Sequence, residues 1–111
     1  KITNVIGDVK GKTILLVDDM IDTAGSGISG IDALKAAGCG DIYLAATHPV
    51  FSGPAIERLS AAPIKEVIVT NTMDLGPDKQ FDNLTILSAA PLLAEAIRRN
   101  YQRRSISSLF N

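Results

Sequence analysis

Ile14-Leu15-Leu16-Val17-Asp18-Asp19-Met20-Ile21-Asp22-Thr23-Ala24-Gly25-Ser26-Gly27 decides how this chain is read. Four aliphatic residues in a row predict a buried strand over 13–18. Ile28, Ile31 and Leu34 then recur at helical spacing, so a helix is expected over 26–37, with Gly38 as its stop. Between them lie an acidic pair, a third acid, hydroxyls and glycines. Strand, acids, hydroxyl-and-glycine turn, helix is an order suited to a phosphorylated sugar. Backbone N–H groups at a helix start attract phosphate. Carboxylates at a strand end accept hydrogen bonds from sugar hydroxyls.

Charge divides the turn into two jobs. Carboxylates repel phosphate, so Asp18 and Asp19 must be aimed at something else, hydroxyl donors or a metal already bound to the ligand, and the phosphate belongs a few residues on. There Thr23 and Ser26 offer hydroxyls, and Gly25 and Gly27 let a ligand approach the backbone closely. Consecutive strand residues face opposite ways, so Asp18 and Asp19 form one chelating pair only if the strand has already ended. The plain alternative is a capped helix after a strand, with Asp22 or Ser26 as N-cap and the other acids solvated.

Outward from the turn, strand and helix patterns alternate. Strands are expected over 41–47, 65–70 and 84–87; a short helix opens at Ser52-Gly53-Pro54 and runs to about Ala61. Residues 71–83 read as a polar connector, and Ser88 as the N-cap of a helix over 89–101. The alternation predicts an α/β fold, a parallel sheet with helices on both faces, whose ligands bind at the carboxyl ends of the strands. Asp18, Asp19, His48-Pro49 and Thr70-Asn71 fall at that edge. Four short strands make a thin sheet, so an incomplete domain is expected, completed by a neighbouring upstream segment.

Composition narrows the partners. The 111 residues are 46% hydrophobic and only 5% aromatic without Trp, so Ala, Ile, Leu and Val must fill the core. A formal net charge of -1 gives no basic surplus for nucleic acid or an anionic membrane. The lone Cys39 allows no internal disulfide and suits a reducing, cytoplasmic setting. Neither a membrane-length apolar run nor a signal-peptide pattern is present. Gly11-Lys12-Thr13 imitates the end of a P-loop, but position 6 is Ile where that motif needs Gly, and the triplet precedes a strand instead of following one. It reads as a turn and strand start. His48, the single histidine, reads as an anchor for a His-Pro turn, and the basic residues Arg98, Arg99, Arg103 and Arg104 as a solvated helix end.

The residues also carry a resemblance. VDDMIDTAGS closely resembles the phosphoribosyl-diphosphate-binding signature of type I phosphoribosyltransferase-like folds. GDVKGKTILLVDDMIDTAGS, ATHPVFSGPAIERL, IKEVIVTNT, LSAAPLLAEAIRR and SISSLF, in that order, resemble the C-terminal part of the ribose-phosphate diphosphokinase (phosphoribosyl diphosphate synthetase) family, over essentially all of 1–111. The resemblance implies diphosphoryl transfer from MgATP to ribose 5-phosphate, giving phosphoribosyl diphosphate and AMP. It implies that Asp22, Thr23, Ala24, Gly25 and Ser26 hold the 5-phosphate and that Asp18 and Asp19 take the ribose hydroxyls. The family usually has Thr where this chain has Ser26, which keeps the hydroxyl.

The resemblance further implies that the catalytic basic loop, the ATP-binding residues and the main Mg2+ ligands lie upstream of Lys1-Ile2. This chain would then contribute no catalytic residue and no metal ligand, and alone would be inactive. Ser105, Ile106 and Ser107 match a segment contributing to an allosteric site for ADP or phosphate between subunits of a homo-oligomer, a hexamer by resemblance. Where the family usually has an aromatic this chain has Ser108. Two alternatives accompany this expectation: a non-catalytic synthetase-associated regulatory subunit, and a salvage phosphoribosyltransferase.

Overall fold

The structure, a computed structural model, describes residues 7–110; the expectations attached to Lys1 and Ile2 lie outside the described residues. Four strands, β1 (Ile14–Ile21), β2 (Ile42–Pro49), β3 (Glu66–Thr70) and β4 (Leu84–Leu87), form one sheet in chain order. Every neighbouring pair is parallel, with Leu16 opposite Leu44, Leu44 opposite Val67 and Val67 opposite Leu84. Three α-helices accompany them: α1 (Gly25–Ala36), α2 (Ala55–Ala61) and α3 (Ala90–Tyr101). Single 3-10 turns occupy Pro77–Lys79 and Ser107–Phe110. No helix among the described residues is long and apolar enough to cross a membrane.

The core explains the architecture. Ile42, Leu44, Ala46, Val67 and Val69 alternate along β2 and β3 and turn one sheet face inward. Ile31 of α1 and Ala55 and Leu59 of α2 close over that face, each fully buried, with Leu75 and Phe81 of the β3–β4 connection packed beside them. Phe51, just after β2, is buried against Phe81, ring centroids 6.1 Å apart. Aliphatic packing dominates, as the scarcity of aromatic residues requires.

The parallel α/β sheet is the one expected, with α1 and α2 on one of its faces. Parallel strands laid down in chain order and joined by right-handed crossovers bring successive connections to the same face. α1, α2 and the β3–β4 connection accordingly share one core. On the opposite face Leu15 and Val17 are exposed, at 61% and 74%. α3 buries no residue, and Leu93, Ile97 and Tyr101 stand in solvent. The radius of gyration, 16.5 Å, exceeds the roughly 13 Å usual for a compact domain of this length. One apolar face of the sheet is thus left uncovered by the described residues.

Two boundaries differ in ways that affect function. β1 continues through the acidic pair to Ile21, because β2 pairs with it as far as Pro49. The helix after β4 begins at Ala90 with Ala89 as its cap residue, yet Ser88 still accepts the Ala90 N–H at 3.1 Å. The Asn71 side chain accepts the Ala89 N–H at 2.8 Å.

Candidate functional site

The end of β1, the turn 22–24 and the first turn of α1 enclose a cavity of about 240 Å3. Asp18, Asp19, Asp22, Thr23, Ala24 and Ser26 line it, and Ile21 and Leu44 give it an apolar wall. The structure thus brings together all the candidate substrate-binding residues except Gly25. Gly27 and Met20 line the cavity in addition.

Its chemistry follows from the backbone. Ala24 adopts the left-handed conformation, φ 68 and ψ 7, at the cap position of α1, and no side chain caps the helix. This corrects the alternative in which Asp22 or Ser26 serves as cap. The first intrahelical bond runs from the Ile28 N–H to the Ala24 carbonyl at 3.0 Å. The N–H groups of Thr23, Ala24, Gly25, Ser26 and Gly27 donate to no described residue. Successive N–H groups around a left-handed residue at a helix start form a concave anion site, reinforced by the helix dipole.

Asp18 and Asp19 both belong to β1 and both line the cavity. One Asp18 carboxylate oxygen turns back to accept the Asp19 N–H at 2.8 Å. Both residues are exposed at the mouth, where their remaining oxygens are open to hydroxyl donors. Acids at one end and bare N–H groups at the other polarise the cavity for a ligand with hydroxyls on one side and an anion on the other.

Gly25 departs from its expected role. It does not line the cavity, and a Cβ built on it would meet Arg58 Nη1 at 3.1 Å, on the far side of the turn. Gly27 is the glycine at the cavity wall, and a Cβ there would meet nothing in the protein. Backbone access to a ligand is therefore preserved at Gly27, while Gly25 makes room for Arg58. That Arg58 reaches the turn could not be read from a sequence separation of 35 residues.

The other candidates fall elsewhere. His48 Nδ1 and Thr72 Oγ1 lie 2.9 Å apart, and the Thr70 and Thr72 hydroxyls both donate to the Thr47 carbonyl, at 2.6 and 3.1 Å. His48 thus links the end of β2 to the residues after β3; the expected His-Pro turn is not formed, because His48 and Pro49 continue β2, paired with Met20 and Ile21. Ser105, Ile106 and Ser107 lie beside the end of α3, remote in sequence from the cavity, and line none of it. The Ser105 and Ser107 hydroxyls are 3.0 Å apart, and the Arg99 guanidinium donates to the Ser105 carbonyl and the Ser108 hydroxyl. Arg99 and Arg98 also hold Glu95, whose carboxyl is lowered to about 2 chiefly by hydrogen bonds from Arg98 and then Arg99. The basic helix end is solvated as expected at Arg98, Arg103 and Arg104, while Arg99 is half-buried against Glu95 and the tail.

Among the described residues no three His, Cys, Asp or Glu side chains gather into a metal site. Three carboxylates, those of Asp18, Asp19 and Asp22, line the cavity; magnesium is commonly held by one or two carboxylates together with waters and a ligand's phosphate oxygens.

Comparison with known proteins gives the following. Residues 2–111 match the family model described as the phosphoribosyl synthetase-associated domain. A ribose-phosphate pyrophosphokinase of Synechococcus elongatus is 54% identical over 111 residues, 99% of this chain and 34% of its own length. That of Caldanaerobacter subterraneus subsp. tengcongensis is 52% identical over 110 residues, 99% of this chain and 35% of its own length. The crystal structure of phosphoribosylpyrophosphate synthetase from Mycobacterium smegmatis superposes with a TM-score of 0.84 at 50% identity, over 88% of this chain and 33% of that one. The chain therefore spans about a third of the length of the relatives it matches. These matches do not support the expectation of a C-terminal part: they give the length of the shared segment without its place.

Proposed function

Since this chain belongs to the phosphoribosyl synthetase-associated domain family, we propose that it supplies the ribose 5-phosphate site of a ribose-phosphate diphosphokinase. In the reaction, MgATP gives its β,γ-diphosphoryl group to the anomeric hydroxyl of ribose 5-phosphate. The observation that carries this reading is the run of undonated N–H groups from Thr23 to Gly27, of which Thr23, Ala24, Ser26 and Gly27 line a cavity whose other end bears Asp18 and Asp19. The N–H row binds the 5-phosphate, aided by the Thr23 and Ser26 hydroxyls. Asp18 and Asp19 accept hydrogen bonds from the ribose hydroxyls and set the sugar's orientation. Phosphoryl transfer depends on positioning and on cations that neutralise the developing charge. Among the described residues no basic side chain lines this cavity; on this reading those cations, the ATP site and the main magnesium ligands are supplied by segments upstream of this one.

On the same reading, Ser105, Ile106 and Ser107 contribute to a regulatory site for ADP or phosphate between subunits of a cytoplasmic homo-oligomer. The ordered hydroxyl pair of Ser105 and Ser107 beside Arg99 supports this part. A second reading, a non-catalytic synthetase-associated subunit, is favoured by the description of the matching family model. Against it stands the intact set of three acids around the cavity, which a subunit without substrate would have no reason to keep.

The test is direct. The full-length protein, given ribose 5-phosphate and MgATP, is expected to form AMP and phosphoribosyl diphosphate in equal amounts. Ribose 5-phosphate binding with no AMP formed would favour the associated subunit. Pyrophosphate release with a nucleobase as acceptor would indicate a salvage phosphoribosyltransferase.

A further inference from the structure

The turn that forms the anion site is held from behind, carbonyl by carbonyl. Val50 and Phe51 N–H groups both donate to the Ile21 carbonyl at 3.0 Å, and the Ser52 N–H donates to the Asp22 carbonyl at 2.9 Å. The next carbonyl, Thr23, has no backbone partner; it accepts from Arg58 Nη1 of α2 at 3.1 Å. Three consecutive carbonyls thus face the segment 50–58. No described peptide bond is cis. In a trans peptide the C=O and the following N–H point in opposite directions. Anchoring the carbonyls of Ile21, Asp22 and Thr23 therefore aims the N–H groups of Asp22, Thr23 and Ala24 away from the brace and toward the cavity.

Backbone strain marks the same two segments. Ala24 at φ 68 and Phe51 at φ 52 are non-glycine residues in left-handed conformations, both buried. Such conformations persist only where surrounding contacts over-determine them. Phe51 is fixed by the core and by its bond to Ile21. Ala24 is the last residue of the turn, and the carbonyl just before its N–H is the one that Arg58 holds. Gly25 belongs to the device, because any side chain there would press on Arg58 Nη1.

We propose that Arg58 is a positioning residue for phosphate binding: its guanidinium holds the Thr23 carbonyl and so keeps the Ala24 N–H pointed at the 5-phosphate. It lines none of the cavity. It acts through the orientation of one peptide, with its positive charge behind the turn adding to the potential there. This inference rests on the ribose 5-phosphate reading above.

The experiment is calorimetric titration of the full-length protein with ribose 5-phosphate and, separately, with MgATP, alongside thermal melting. Arg58→Met keeps the side chain's length and removes the donor. It is expected to raise the Kd for ribose 5-phosphate about tenfold, the scale of one charged hydrogen bond, with the MgATP Kd and the melting temperature unmoved. Arg58→Lys, which retains a cationic donor, is expected to recover most of the loss. Gly25→Ala, which displaces the guanidinium, is expected to raise the same Kd and to add little to Arg58→Met in the double variant. An unchanged ribose 5-phosphate Kd in Arg58→Met overturns this inference alone. Equal weakening of both ligands with a lower melting temperature also overturns it, since that marks a general structural role. Failure of the unsubstituted protein to bind ribose 5-phosphate overturns the inference and the reading beneath it together.

Discussion

The turn at 18–27 is expected to hold a sugar phosphate, and Ser105, Ile106 and Ser107 in the tail are implied by resemblance to contribute to an ADP or phosphate site; the structure builds the two regions in opposite ways. Around the turn the donors are free and the acceptors are tied. Five N–H groups face no partner, while the carbonyls of Ile21, Asp22 and Thr23 are fixed to the segment 50–58. In the tail the donor is already spent: Arg99 serves Glu95, the Ser105 carbonyl and the Ser108 hydroxyl at once. The turn also rests on the core through Ile21 and Ala24, both buried, whereas neither α3 nor the Ser107–Phe110 turn buries any residue. A binding site needs free donors on a rigid support. Within this chain the turn has both, and the tail acquires such a role only with a further surface against it.

Removing the acids is the strongest way to break this contrast. Asp18→Ala with Asp19→Ala is expected to weaken ribose 5-phosphate binding by about 1.5–3 kcal/mol, roughly ten- to a hundredfold. Both carboxylates are exposed, so the melting temperature should hardly move. Titration calorimetry and a melt on the same sample check this. Unaltered affinity would remove the acids from the site.

A smaller effect sharpens it. Gly27→Ala adds a Cβ where nothing in the protein stands, inside a helix, and should stabilise the fold by about 0.5–1 kcal/mol. The same methyl occupies the cavity wall, so affinity for ribose 5-phosphate should fall. Stability and binding then move in opposite directions in one variant, which denaturation and titration together would show.

The smallest effect concerns the tail. Glu95 is lowered from 4.5 to about 2 by its bonds to Arg98 and Arg99. A depressed carboxyl contributes stability that is present above its unfolded value and is lost as pH falls through its folded value. Between pH 4.5 and 2 the Glu95 contacts should therefore be lost progressively, and with them Arg99's hold on Ser105 and Ser108. Glu95 and Arg98 lie at the surface, so high salt should weaken the same contacts. Side-chain NMR of Arg99 across that range, and across ionic strength, follows both.

How much of this was legible in the sequence depends on the range of the interaction. Short-range signals were sufficient for the elements. The apolar runs before Asp18 and around Val67, and the spacing of Ile28, Ile31 and Leu34, locate β1, β3 and α1 to within a few residues. The end of β1 was misplaced at Asp18 because acids discourage strand in isolation; pairing with β2, from Ile14 opposite Ile42 to Ile21 opposite Pro49, carries it on. The division of labour along the turn was legible too, since it follows from charge alone. The purpose of each glycine was not. Gly25 and Gly27 look equivalent in sequence, and only the approach of Arg58 from α2 assigns one to packing and the other to the cavity. The Arg99 contacts with the tail were equally hidden, because a cluster of arginines does not reveal which of them finds partners.

The central claim is that the turn, and not the tail, is where this chain takes the phosphate of a sugar phosphate. Amide NMR of the protein titrated with ribose 5-phosphate tests it most directly. The account predicts that the largest shifts fall on the N–H groups of Thr23, Ala24, Gly25, Ser26 and Gly27. Shifts concentrated on Ser105 to Ser108, with residues 23–27 unmoved, would contradict it.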